Sequence, residues 1–162
     1  MNTVFLGLGS NVDAERNIAS GISALREALG TVKLSPVYRT PAMGFDGDDF
    51  INLAARAETP MSPLELKDLL HRIEDNHDRK RDVPRFSDRS LDIDILLYND
   101  LCLYSPELEI PRQEILTSPH VLKPLADLAP ATIHPSNRQT ISTLWEEFQG
   151  ERDGLIRIDL PL

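Results

Sequence analysis

Cysteine, long apolar runs and positive charge are all scarce in this chain. The one cysteine, Cys102, can form no internal disulfide and no thiolate metal site, which excludes disulfide scaffolds and zinc ribbons and suits a reducing compartment. No uninterrupted apolar stretch approaches the roughly 18 residues that a membrane-spanning helix needs, so no membrane role is expected. The opening MNTVFLGLGSNVDAERN lacks a basic n-region and is apolar only from Val4 to Leu8, so it is not read as a secretory signal, and a cytoplasmic chain is expected. With 17 Lys and Arg against 26 Asp and Glu, the net charge of −9 argues against a nucleic-acid partner. Several catalytic signatures are missing too. His71, His77, His120 and His134 show no i, i+4 pair, and no G-x-S-x-G elbow is present. Gly7-Leu8-Gly9-Ser10-Asn11 lacks both the third glycine of a dinucleotide fingerprint and a Walker A lysine, so it reads as a tight structural turn.

What is present fits a single domain over residues 1–162, without repeats, low-complexity tracts or linkers. Thr3 to Leu8 reads as a buried strand ending in a turn at Gly9-Ser10-Asn11. From Asp13 to Leu29, Ile18, Ile22, Leu25 and Leu29 recur at helical spacing, with Asp13 as cap and Gly30 as a left-handed stop. Val32 to Tyr38 reads as a strand, Thr40 to Asp49 as a loop, and Phe50 to Glu58 as a further strand. Ser62-Pro63-Leu64-Glu65 is a capping box that opens a helix buried through Leu66, Leu69, Leu70 and Ile73. A polar loop, Asn76 to Arg89, precedes a strand over Ser90 to Tyr98. Ser118-Pro119 opens a helix towards Pro130, Ile141 to Phe148 marks another, and alternation around Ile156 and Ile158 predicts a short last strand. The order strand, helix, strand, strand, helix, strand is that of a ferredoxin-like α+β fold, an αβα arrangement with a mainly antiparallel sheet.

Two aspartates carry the chemistry. Asp92 and Asp94 stand two apart in a strand, so both carboxylates leave one sheet face while Leu91, Ile93 and Ile95 enter the core. Aspartate is disfavoured in strands and neighbouring anions repel, so the pair points to a cation. Mg²⁺ suits it, because that ion takes one or two carboxylates and fills its other positions with water and substrate phosphates. The alternative is a solvated face, which would more usually carry Thr, Lys or Glu. Directly before this strand, the window Arg79 to Arg89 carries a net +3 on an otherwise acidic chain. Alone it would be a charged connection; beside two carboxylates it reads as a phosphate clamp of Arg79, Arg81, Arg85 and Arg89. Phe50 and Asn52 share one strand face, offering a stacking ring beside an amide, although core burial of Phe50 is equally open.

The run Arg85-Phe86-Ser87-Asp88-Arg89-Ser90-Leu91-Asp92-Ile93-Asp94-Ile95-Leu96 resembles the motif R-W-G-x-R-x-L-D-L-D-I of the 6-hydroxymethyl-7,8-dihydropterin pyrophosphokinases of folate biosynthesis. Gly9-Ser10-Asn11, Tyr38-Arg39-Thr40-Pro41, Phe50-x-Asn52 and Glu74 fall in that family's order and spacing, so the resemblance spans Val4 to about Pro130. It implies pyrophosphoryl transfer from ATP to the pterin hydroxymethyl oxygen with release of AMP. On that reading Asp92 and Asp94 hold two Mg²⁺ ions, and Arg79 and Arg89 join them as catalytic residues. Glu74, Arg81, Arg85 and Arg112 contact ATP. Thr40, Pro41, Met43, Phe50, Asn52 and His120 line the pterin pocket of a monomer. Departures are visible: Arg112 stands where the family has a histidine, Ser118 an arginine, His120 a stacking aromatic, and Phe86 the loop tryptophan. They motivate two alternatives, a paralogue acting on another pterin and a nucleotide or pterin-binding module without turnover.

Overall fold

Side-chain alternation along the first strand decides how the layers assemble. The structure, a computed structural model, describes residues 1–41, 47–77, 90–152 and 154–162. Strand β1 (Asn2–Ser10) sends Val4, Leu6 and Leu8 to one face, and Phe5 with the bare positions Gly7 and Gly9 to the other. The first face is covered by helix α1 (Ala14–Leu29), through Ile18, Ile22 and Leu25, and by helix α2 (Pro63–Asp75), through Leu66, Leu69, Leu70 and Ile73. Strands β2 (Lys33–Leu34), β3 (Val37–Thr40), β4 (Phe50–Thr59), β5 (Asp92–Tyr98) and β8 (Ile156–Ile158) complete an antiparallel sheet in the order β5-β1-β4-β3-β8, with β2 pairing β4. Each helical crossover skips one strand, β4 lying between β1 and β3, and β1 between β4 and β5. This is the expected split βαβ arrangement.

The other face of the sheet carries Phe5, Ala54, Leu96 and Leu97. They pack on helices α3 (Glu114–Thr117), α4 (Pro119–Leu128) and α5 (Ile141–Glu146) through Ile115, Leu122, Leu125, Ile141 and Leu144. A two-residue hairpin, β6 (Leu103–Tyr104) with β7 (Glu109–Ile110), lies between β5 and α3. Among the described residues, no helix is long and apolar enough to cross a membrane.

Local departures from the sequence reading have identifiable causes. Gly9 and Ser10 belong to β1 rather than to a turn, because β4 and β5 flank them and the buried Ser10 hydroxyl donates to Ser90 O at 2.6 Å. Asp13 occupies the cap position with φ 47° but makes no capping bond; its carboxylate faces Arg16 at 3.6 Å instead. Gly30 does end α1 with a positive φ of 84°, and its N–H reaches Arg26 O. The strand expected over Val32 to Tyr38 divides at Ser35-Pro36. Proline has no N–H to donate, and the register against β4 slips by one residue between Leu34↔Ala55 and Tyr38↔Asn52. The Ser35 hydroxyl fills the gap by accepting the Ala54 N–H at 2.8 Å. Phe148 lies beyond α5, stacked on Trp145 at 5.9 Å. The last strand joins the sheet through Val37↔Ile158 and Arg39↔Ile156.

The capping box of α2 forms as read, Ser62 Oγ accepting the Glu65 N–H at 3.3 Å and Glu65 Oε1 the Ser62 N–H at 2.9 Å. Ser62→Ala should lower stability by about 1 kcal/mol, seen as a lower urea midpoint at unchanged slope. An unmoved midpoint would mean that the box contributes nothing.

Candidate active site

The register of β1 brings the chemistry together. Tyr38 pairs with Asn52, Asn52 with Gly9, and Gly9 with Asp92, so all four lie in one row across the sheet on the α4 side. The neighbouring row is Ala54, Gly7 and Asp94. A Cβ at position 9 would stand 2.6 Å from Asn52 Oδ1, so any larger residue there would push the carboxamide aside. The Asn52 side chain therefore lies over the bare backbone of β1. It is 8% exposed, and its Nδ2 finds no acceptor among the described residues. A buried donor left unpaired costs about 1–3 kcal/mol, a cost that an acceptor on a ligand would offset.

Above the row is a cavity of about 200 Å³. Its lining includes Thr40, Pro41, Phe50, Asn52, Asp92, Asp94, Arg112 and His120, together with Gly7, Gly9, Ser118 and Val121. Eight sequence-predicted site residues thus meet at one place. A second, larger cavity of about 760 Å³ lies against α2, β5 and the β6–β7 hairpin, and Asp94, Arg112 and Glu114 line both. Arg79, Arg81, Arg85, Arg89 and Met43, expected in the site, lie outside the described residues, as does Phe86.

Glu74 lines neither cavity. It is 2% exposed in the last turn of α2, and its Oε2 accepts the Ile93 N–H at 2.8 Å. Because β5 is the sheet edge among the described residues, that amide meets no described strand on its outer side, and Glu74 supplies the acceptor between the two aspartates. Further along the same edge, the Arg112 N–H donates to Leu96 O at 3.0 Å.

The electrostatics centre on Asp94. Burial, then the neighbouring Asp92 charge, push its carboxyl above the ordinary range, while Arg112 opposes the rise. Arg112 Nε is 3.6 Å from Asp94 Oδ2, and Arg112 also donates to Glu114 Oε1 from Nε at 3.0 Å, with a terminal nitrogen 2.9 Å from the same oxygen. Among the described residues, no group of three or more His, Cys, Asp or Glu is placed to hold a metal. Two carboxylates on one open face, carrying surplus negative charge, are a donor set that fits Mg²⁺.

Comparison with known proteins places this architecture. Residues 5–130 match the family 7,8-dihydro-6-hydroxymethylpterin-pyrophosphokinase (HPPK). The chain belongs to the HPPK family. It is 35% identical over 153 residues to the 2-amino-4-hydroxy-6-hydroxymethyldihydropteridine pyrophosphokinase of Aquifex aeolicus, covering 93% of this chain and 92% of that protein. The enzyme of the same name from Haemophilus influenzae is 34% identical over 152 residues, covering 91% and 94%. The fold matches the crystal structure of wild-type Plasmodium falciparum HPPK-DHPS with a TM-score of 0.73 at 16% identity. That alignment covers 97% of this chain and 47% of the solved one, so this chain spans about half of that protein.

Two features of this chain escaped the sequence reading. Glu114, which grips Arg112, is signalled only by a charge of opposite sign two residues on. The anchor under the row, Tyr38 donating to Asp127, itself held by Lys123 at 2.9 Å, joins residues far apart in the chain. Burial raises the Tyr38 hydroxyl well above its ordinary range, and the Asp127 hydrogen bond adds to the rise.

His120 carries a pH signature. Burial holds its imidazole below the ordinary His value, and does the same for His134. The unfolded chain takes up a proton near pH 6.5 that the folded one resists, so stability is lost as pH falls through that range. His120→Phe should shrink the drop in melting temperature between pH 7 and pH 5 relative to wild type. An equal drop in both proteins would show that His120 does not titrate differently on folding.

Proposed function

We propose that this chain catalyses ATP-dependent pyrophosphoryl transfer to 6-hydroxymethyl-7,8-dihydropterin, using the row Asn52, Gly9 and Asp92 as its floor. The hydroxymethyl oxygen forms a bond to the β-phosphorus of ATP, the bond from that phosphorus to the AMP oxygen breaks, and the hydroxyl proton is released. The observation that carries the assignment of residues is the single cavity uniting an unpaired buried amide, aromatic walls and a carboxylate pair. HPPK homologues bear the pyrophosphokinase name, so neither a changed pterin nor a binding module without turnover is favoured.

In this reading Asn52 offers Nδ2 to a pterin ring acceptor, and Phe50 and His120 hold the ring by stacking, with Thr40 and Pro41 closing one end. ATP occupies the larger cavity, its phosphates turned towards the shared wall of Asp94, Arg112 and Glu114. Asp92 and Asp94 hold two Mg²⁺ ions, which when bound neutralise charge on the phosphates. Arg79, Arg81, Arg85 and Arg89 belong to the phosphate clamp, and Met43 to the pterin pocket. Glu74 acts through β5, fixing the strand from which both aspartates project. Phosphoryl transfer asks for placement and charge compensation more than for a covalent nucleophile, and the site supplies the first through rigid strands.

Residues 1–162 form one pyrophosphokinase domain, acting as a monomer in the cytoplasm. Exposed large apolar side chains such as Leu64, Tyr104 and Ile156 come from separate elements, and one exposed thiol suits a reducing compartment.

Incubation with ATP, Mg²⁺ and the pterin alcohol, followed by chromatography of nucleotides, tests the reaction. Wild type should yield AMP rather than ADP, and Asp92→Ala or Asp94→Ala should lower turnover by at least about 100-fold in folded protein. Near-normal turnover in either variant would remove the carboxylates from the mechanism. Gly9→Ala tests the floor, because the new Cβ displaces the Asn52 amide. Its pterin dissociation constant should rise by about tenfold. Unchanged affinity would separate Asn52 from pterin recognition.

A further inference from the structure

The wall between the two cavities holds a charge cluster that the reaction alone does not explain. Arg112 is fixed by its backbone: its N–H donates to Leu96 O at 3.0 Å and its carbonyl accepts the Ile115 N–H at 3.2 Å. Its side chain is 35% exposed and reaches two carboxylates of unequal grip, Glu114 at 2.9 Å and Asp94 at 3.6 Å. The guanidinium stays protonated at any physiological pH, so it is a permanent cation beside Asp94 Oδ2.

We propose that Arg112 is a resident counter-cation of Asp94, parked by Glu114, that competes with divalent cation for this carboxylate until nucleotide phosphates draw it into the larger cavity. The inference rests on the reading of Asp92 and Asp94 as the divalent-cation ligands. Two cations cannot share Asp94 Oδ2 without repulsion, so each weakens the other's hold by the same factor. Glu114 makes the exchange feasible. When Arg112 leaves Asp94 it keeps its closer partner and is never a stranded charge. Because Asp94, Arg112 and Glu114 line both cavities, the space open to the departing side chain is the one lined by Lys67, His71 and Gln113. There a triphosphate would meet a planar fork of donors suited to phosphate oxygens. The consequence is ordered loading: bare divalent cation binds this chain weakly, and cation with nucleotide binds it well. Arg112 acts here as a positioning residue, setting when Asp94 is available.

Titration of the whole protein with Mn²⁺ alone, followed by the electron paramagnetic resonance signal of free Mn²⁺, tests this directly. Arg112→Gln should bind Mn²⁺ about fivefold more tightly than wild type. Lys67→Gln, which removes one positive charge from the wall of the same larger cavity, should change the affinity less than about twofold. Equal affinity in wild type and Arg112→Gln, an equal gain in both charge variants, or no Mn²⁺ bound by either wild type or Arg112→Gln overturns the proposal. A second arm adds a nonhydrolysable ATP analogue. There Asp94→Asn should lose Mn²⁺-nucleotide affinity relative to wild type. If it does not, the metal-ligand reading fails, a result distinct from failure of the Arg112 competition.

Discussion

Everything in the site depends on a strand with no side chains where its neighbours need room. Gly9 of β1 lies between Asn52 and Asp92, and Gly7 between Ala54 and Asp94. The opposite face of the same strand is as crowded as this one is bare, because Val4, Leu6 and Leu8 are buried under α1 and α2. One alternation of large and absent side chains therefore makes both the core and the pocket. A side chain at position 9 would meet the Asn52 carboxamide at 2.6 Å and push it aside, so Asn52 and the aspartate face adjoin across a bare β1.

The second constraint is the edge. Strand β5 carries both aspartates yet, among the described residues, has a strand neighbour on one side only. Its outer backbone groups are taken instead by the Glu74 carboxylate at Ile93 and by the Arg112 amide at Leu96. Each brace belongs to the site's charge balance as well. Glu74 adds to the negative field that raises Asp94, and Arg112 offsets it. Placement and electrostatics are thus set by the same residues. This suits a reaction whose barrier is lowered by fixing charges rather than by making a covalent intermediate.

Much of this was legible from residues alone, for reasons that differ by element. The capping box at Ser62 and Glu65, the stripe of Ile18, Ile22 and Leu25, and the alternation from Asp92 to Ile95 are local signals, and each formed as read. The long-range consequences were not local. That Gly9 belongs to a strand is decided by β4 and β5 on either side, and the break at Ser35-Pro36 by the ladder to Ala54. The hairpin of β6 and β7 is two residues per strand, too short for any period to show. Among site residues, Phe50, Asn52, Asp92, Asp94, Arg112 and His120 converge on one cavity, whereas Glu74 stands behind the strand and supports the site. Glu114 went unread because its importance lies in touching Arg112, a contact that no motif encodes.

In the proposed reaction, two adjacent rows of the sheet hold pterin and metal-bound phosphates side by side. A crystal structure of the protein with 6-hydroxymethyl-7,8-dihydropterin, Mg²⁺ and a nonhydrolysable ATP analogue tests it most directly. The account predicts the ring between Phe50 and His120 with a ring acceptor on Asn52 Nδ2, and metal density on both Asp92 and Asp94. A pterin seated away from Asn52, or metal ions held without either aspartate, would contradict it.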